Sequence, residues 1–224
     1  MHKQQLDDWC RELLQALQRE FHDRLRFFGL QGSHARGEAT EQSDIDLVVL
    51  FDRMDTSTLA RYRALLSAMP DREKACGFVC DERTLAHWPK HDLLNLVYDT
   101  KPLYGTLEPY RCLLSDKDAQ DALRIGAADL YHAACHSDLF DDVPAQSLPA
   151  LYKAAFFVLR LAAFVRCGVF APNKRALEPL LPPEERPLLQ ACQAGGALAK
   201  TDQARTEELF AQLIEWCARQ LVQN

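Results

Sequence analysis

The run Gly32-Ser33-His34-Ala35-Arg36-Gly37, followed after a short polar loop by Ser43-Asp44-Ile45-Asp46-Leu47-Val48-Val49-Leu50, decides how this chain is read. Ahead of it, Leu25 to Leu30 reads as a short strand, and Gly32 lets the backbone turn tightly where that strand ends. Arg36 to Ser43 reads as a loop. Ile45 to Phe51 is the strongest strand signal in the sequence, an apolar and β-branched run with few solvent-compatible positions. Side chains alternate across a strand, so Asp44 and Asp46 project to one side while Ile45 and Leu47 point to the other. A turn sized for a phosphate thus precedes two carboxylates on one face, the makings of a metal-assisted nucleotide site.

Two oxygens placed this way at the start of a strand can share a divalent cation, and Mg²⁺ commonly takes one or two carboxylates together with substrate phosphates. Gly32 and Ser33 can offer backbone amides and a hydroxyl to the phosphates, as amide-lined anion nests do. Arg36 is long enough to give a phosphate two donors, or it is a solvated loop arginine. His34 either lines the pocket or stands exposed.

Outward from this stretch, Leu6, Trp9, Cys10, Leu13, Leu14 and Leu17 recur at helical spacing and open the chain with an amphipathic helix. Asp55 or Ser57 can cap a helix over Thr58 to Met69, which Pro70 ends, and Ala75 to Cys80 follows as a third strand. Leu93 to Tyr98 fits strand or helix, and Lys101 to Gly105 is a short extended piece. From Ser115 onward the pattern is helical, over about Asp118 to His136, Leu148 to Cys167, Lys174 to Leu180, Pro183 to Ala194 and Arg205 to Leu221. The expected fold is therefore α/β (α+β), a small mixed sheet with helices over residues 1–110, followed by an all-helical domain over 111–224.

The 224 residues are 48% hydrophobic and carry a formal net charge of -6, which gives no basic footprint for a nucleic-acid backbone. Nucleic acid is not the expected partner. No apolar run is read as long enough to span a bilayer, and the N-terminus leads into a helix rather than a signal peptide. The eight scattered cysteines read as buried thiols of a reducing compartment, so a cytoplasmic location is expected.

A strand, Gly-Ser, a ten-residue interval and Asp-x-Asp opening another strand resemble the signature of the nucleotidyltransferase superfamily related to DNA polymerase beta. The likeness is strongest to its small bacterial members and the aminoglycoside nucleotidyltransferases, and it covers Leu25 to Gly105. Arg36 and Gly37 match the common extension of the signature. The resemblance implies Mg²⁺, with Mn²⁺ as a substitute, and ATP or another nucleoside triphosphate as substrate. It further implies transfer of a nucleoside monophosphate to a hydroxyl of a small molecule or protein, with release of pyrophosphate. Asp44 and Asp46 are then the metal and catalytic carboxylates, and Gly32, Ser33 and Arg36 the nucleotide contacts.

Two-metal members of that superfamily carry a third acid on the next core strand. Here that strand, Cys76-Gly77-Phe78-Val79-Cys80, holds none, and the matching position falls near Gly77. Asp81 at the strand's end is the nearest candidate for a catalytic base or metal ligand, or else it caps the following helix. Asp99 is a further candidate. The alternative reading is a catalytically weak or inactive regulatory or antitoxin-like protein that binds nucleotide and uses its helical domain to hold a partner.

Lys101 and Tyr104 can face the nucleotide from the sheet edge. Lys153, in the apolar run Leu151 to Phe157, needs a partner or an exit to water and can reach phosphates from the second domain. His132 and His136 lie one helical turn apart with Cys135 between them, a spacing that suits zinc but has no third strong ligand nearby. Phe156, Phe157, Leu159, Leu161, Phe164 and Val165 populate nearly every face of one helix. That fits the centre of a bundle or a contact in a homodimer or with a protein partner.

Overall fold

Leu6, Trp9, Cys10, Leu13, Leu17 and Phe21 fall on one stripe of α1 (Lys3–Phe21), and all six are buried. The computed structural model describes residues 3–222. The stripe of α1 covers one face of a sheet whose strands are β1 (Leu25–Gln31), β2 (Ile45–Phe51), β3 (Ala75–Asp81) and β4 (Lys101–Tyr104). Their order is β3-β2-β1-β4, with β1 antiparallel to both β2 and β4 and β2 parallel to β3.

Between the strands lie α2 (Gly32–Arg36), α3 (Thr56–Ala68), α4 (Glu82–Ala86) and α5 (Lys90–Asp99), with α6 (Glu108–Arg111) after β4. The segment over Leu93 to Tyr98, open between strand and helix in the sequence, is helical. The Gly32-Ser33 turn opens a five-residue helix rather than a loop, and the irregular chain begins at Gly37, whose left-handed φ of 71° closes that helix. Parallel pairing of β2 with β3 requires a crossover, supplied by α3. Asp55 starts α3 by accepting from the Thr58 amide at 2.7 Å, and Trp9 Nε1 donates to the Pro70 carbonyl at 2.7 Å beyond its end.

The alternation of β2 builds two cores. Ile45, Leu47, Val49 and Phe51 join Phe28, Leu30 and the α1 stripe on one side. Val48 and Leu50 join Phe27, Leu85, Leu93, Val97 and Tyr110 on the other. Asp46 belongs to this second side, where α5 packs, and Asp44 precedes the strand.

A division between Leu114 and Ser115 separates this unit from a helical one. The helical unit comprises α7 (Asp116–Phe140), α8 (Leu148–Cys167), α9 (Lys174–Leu177), α10 (Arg186–Ala194) and α11 (Gln203–Val222). Ser115 and Asp118 form a reciprocal capping box at the start of α7. α8 is its central helix: Leu151, Tyr152, Ala155, Phe156, Leu159, Arg160 and Leu161 are buried, and Tyr152 donates to the Leu209 carbonyl at 2.9 Å. Contrary to the sequence expectation, α8 is long and apolar enough by length and composition to cross a membrane. Its apolarity is used within the unit, where 61% of the apolar window is buried. Trp216 and Arg166 both meet the buried carboxylate of Glu185, at 3.1 and 2.9 Å.

Candidate nucleotide and metal site

The antiparallel register of β1 and β2 pairs Gln31 with Asp46, so the next residue, Gly32, turns directly over the Asp46 carboxylate. Gly32 has a φ of +69°, and a Cβ built on it would stand 1.9 Å from Asp46 Oδ2. Only glycine satisfies both the left-handed backbone and that approach. The first residue of the turn and the second carboxylate therefore share one small space. Asp44 lies exposed just before β2, two residues from half-buried Asp46.

Ser33 and His34 continue α2 beside the pair. The helix closes on itself through the Glu38 amide, which donates to the Ser33 carbonyl at 2.9 Å. Burial pulls the His34 imidazole below its ordinary value, offset in part by a hydrogen bond with the Ser43 backbone and by the charge of Asp46. His34 is thus half-buried within the electrostatic reach of Asp46, rather than a freely exposed ring.

Arg36 is not a loop arginine reaching outward. Its guanidinium is buried against Asp99, 2.7 Å away, and both side chains are under a tenth exposed, at 9% and 7%. Glu38 adds a second carboxylate at 3.3 Å. Asp99 is correspondingly engaged as the counter-ion of Arg36, not placed as a ligand beside Asp46.

Asp81 stands at the wrong end of the sheet for the role of third carboxylate. β3 runs parallel to β2 with Asp46 opposite Cys76 and Phe51 opposite Asp81. Five residues at about 3.3 Å each put Asp81 roughly 16 Å farther along the sheet. There it caps α4, accepting from the Thr84 amide at 2.7 Å and the Met54 amide at 3.1 Å. Those amide donors, that of Thr84 first, hold its carboxyl below the usual carboxylate value. The position near Gly77 cannot carry an acid either: Gly77 has a φ of +138°, and a Cβ there would lie 2.0 Å from the Leu47 carbonyl oxygen. What β3 does set across from Asp46 is Cys76, an exposed thiol that sequence reasoning passed over. Only the strand register reveals it.

Lys101 is also not brought to the pair. It is opposite Leu30, whose side chain belongs to the α1 face, and its charge acts on the Cys10 thiol in α1. Lys153 stands solvent-exposed on α8 in the helical unit, where its ammonium has an exit to water. His132 and His136 stack loosely on α7 with ring centroids 6.2 Å apart. Among the described residues there is no group of three or more His, Cys, Asp or Glu that could hold a metal, at the histidines or at the aspartate pair.

The aspartate pair nevertheless fits a cation that arrives with phosphates. Asp46 in β2 and Asp44 just before it are two carboxylates close in the chain, and the Gly32 cradle admits no side chain between Asp46 and the turn. Arg36 and Asp81 are held by other partners and Lys101 lies on the α1 face, whereas Gly32 and Asp46 are brought into contact.

A sequence profile describing a nucleotidyltransferase domain matches residues 10–121. The chain is 38% identical over 58 residues to a Methanocaldococcus jannaschii protein provisionally named a protein adenylyltransferase. That match covers 26% of this chain and 55% of the relative, so the chain spans about half the length of the curated relative it matches. Among solved structures, the spectinomycin adenyltransferase AAD(9) from Enterococcus faecialis, determined with ATP and spectinomycin, superimposes with a TM-score of 0.55. The superposition covers 97% of this chain and 99% of that one at 15% identity, a likeness of fold.

Proposed function

The chain belongs to the nucleotidyltransferase domain family, and from that premise we propose that it transfers a nucleoside monophosphate from ATP or another nucleoside triphosphate to a hydroxyl acceptor. The observation that carries this reading is the packing of Gly32 onto the carboxylate of Asp46, which fuses the phosphate turn to the metal pair.

In this reading the Gly32 and Ser33 amides and the Ser33 hydroxyl hold the β- and γ-phosphates, and Asp44 and Asp46 hold Mg²⁺, or Mn²⁺ in its place. The bound cation supplies charge neutralisation on the triphosphate and fixes its orientation. The acceptor oxygen forms a bond to the α-phosphorus as the α–β phosphoanhydride bond breaks, and pyrophosphate leaves while the hydroxyl proton passes to solvent. Positioning and electrostatics account for most of such a reaction, and the turn and the two carboxylates would supply part of both.

The acceptor belongs to a small molecule or a protein. The names of the two relatives point to both classes, and the acidic balance of the chain favours a cationic acceptor. Eight free thiols support a reducing, cytoplasmic setting. A second reading, a weak or inactive nucleotide-binding regulator that engages a partner through its helical unit, is favoured by one observation: Gly77 excludes an acid at the third position.

The test is pyrophosphate release with Mg²⁺ and ATP, offered cationic aminocyclitols and hydroxyl-bearing proteins as acceptors. Release that depends on Mg²⁺ and is abolished in Asp46→Ala supports the transferase. An active wild type matched by Asp46→Ala removes the site assignment, and Mg²⁺-dependent ATP binding without turnover on any acceptor favours the regulator.

A further inference from the structure

We infer that Arg36 and Asp99 act as a positioning pair, fixing α2 over Asp46 without touching the nucleotide. The inference rests on the nucleotide reading above. α2 has only five residues, too few to be stable alone, and it projects from the end of β1. Its first residue is packed on Asp46; its last, Arg36, is tied to the last residue of α5. Asp99 in turn is fixed by its neighbours in the chain: Thr100 is buried, its hydroxyl donates to the Leu96 carbonyl, and Lys101 enters the sheet as β4 beside β1. The ion pair therefore closes a loop, because α2 continues β1 and α5 leads into β4, which is hydrogen-bonded to β1.

Two features set this role apart from direct phosphate binding. The guanidinium meets two carboxylates, those of Asp99 and Glu38, so its positive charge is already balanced. It is also nine-tenths buried, so turning it out to a ligand takes the guanidinium away from the buried carboxylate of Asp99. Both favour a fixed strut between α2 and α5.

The test compares Arg36→Met, Asp99→Asn and the double variant in two measurements: affinity for a non-hydrolysable ATP analogue with Mg²⁺, and hydrogen exchange of the Gly37 and Glu38 amides without nucleotide. Those amides donate to the His34 and Ser33 carbonyls and report whether α2 is closed. A positioning pair predicts faster exchange at both amides in either variant. It also predicts affinity losses of similar size, on the order of tenfold, with the double variant no worse than a single one. If Arg36→Met loses binding while Asp99→Asn keeps or gains it, Arg36 is a phosphate ligand and the inference is wrong. Unchanged exchange in both variants also overturns it. A wild type that binds no nucleotide, with exchange behaving as expected, rejects the nucleotide reading and leaves the strut between α2 and α5 standing. Should the neutral variants not fold, Arg36→Lys and Asp99→Glu keep the charges while shifting their geometry, and the same exchange pattern is expected.

Discussion

Gly32 and Asp46 are so close that the space a methyl group on the glycine would take is already filled by the aspartate's carboxylate oxygen, 1.9 Å away. Gly32→Ala must therefore displace Asp46 as well as strain a backbone held at a φ of +69°. The strain costs about 1–2 kcal/mol, which thermal unfolding reads. A shift of about 1 Å at a reacting site can cost about 100-fold in rate, and pyrophosphate release should fall by that order. Release at the wild-type rate from the folded variant would show that the turn and the carboxylate work independently.

Restoring an acid to β3 should succeed at one position and fail at its neighbour. Gly77→Asp drives a Cβ into the Leu47 backbone and should destabilise the domain by about 3 kcal/mol or more, seen as a lowered midpoint in denaturant. Cys76→Asp, at an exposed position across from Asp46, should fold like the wild type and tighten Mg²⁺-dependent nucleotide binding in calorimetry. A stable, active Gly77→Asp protein would contradict this geometry.

Asp81→Ala should cost about 1–2 kcal/mol, the value of a helix cap, and leave pyrophosphate release per folded molecule unchanged. The sign of its pH dependence comes from a carboxyl held below the usual value by the amides of Thr84 and Met54. Its contribution is present above the unfolded carboxylate value near 3.8 and is lost as pH falls through the lower folded value. Denaturation curves of wild type and variant should therefore converge on acidification below about pH 4. Catalytic loss in Asp81→Ala at full stability would return this residue to the site.

Thiol labelling should divide the cysteines. Cys76, Cys112 and Cys167 are exposed, while Cys10, Cys80, Cys192 and Cys217 are buried, and burial pushes the thiols of the latter four up to about 12. A maleimide should modify the first three in the native protein and the other four only after unfolding, read by mass spectrometry. ATP with Mg²⁺ should slow labelling of Cys76 and leave Cys112 and Cys167 unaffected, since only Cys76 lies beside Asp46 in the sheet.

The strands, the helical second half and the approach of Gly32 to Asp46 were legible because their signals are local: alternation, helical periodicity and a turn glycine. Register was not. A shift of one residue moves a side chain to the other face, which is why Lys101 looks available in sequence yet lies on the α1 side. Asp81 ends its strand, but the parallel crossover carries it to the opposite end of the sheet from Asp46. Arg36 matches a phosphate-binding pattern, while the acid that holds it is 63 residues away and marked by no local signal. The steric exclusion at Gly77 likewise comes from a neighbouring strand. Sequence spacing brought out the turn glycine and the aspartate it meets, and long-range contacts decided where the other charged groups lie.

The strand that carries Asp46 is paired on both sides, by β1 and by β3, whereas the turn at Gly32 opens a helix of five residues held by Ala35 against the core and by the buried ion cluster of Arg36. The two halves of the site therefore differ in stiffness. On warming, a five-residue helix should open before a sheet paired on both sides, and under the proposed function nucleotide affinity should fall at a lower temperature than the one at which the domain melts. The thermal limit of such binding would then be set by α2 rather than by the core.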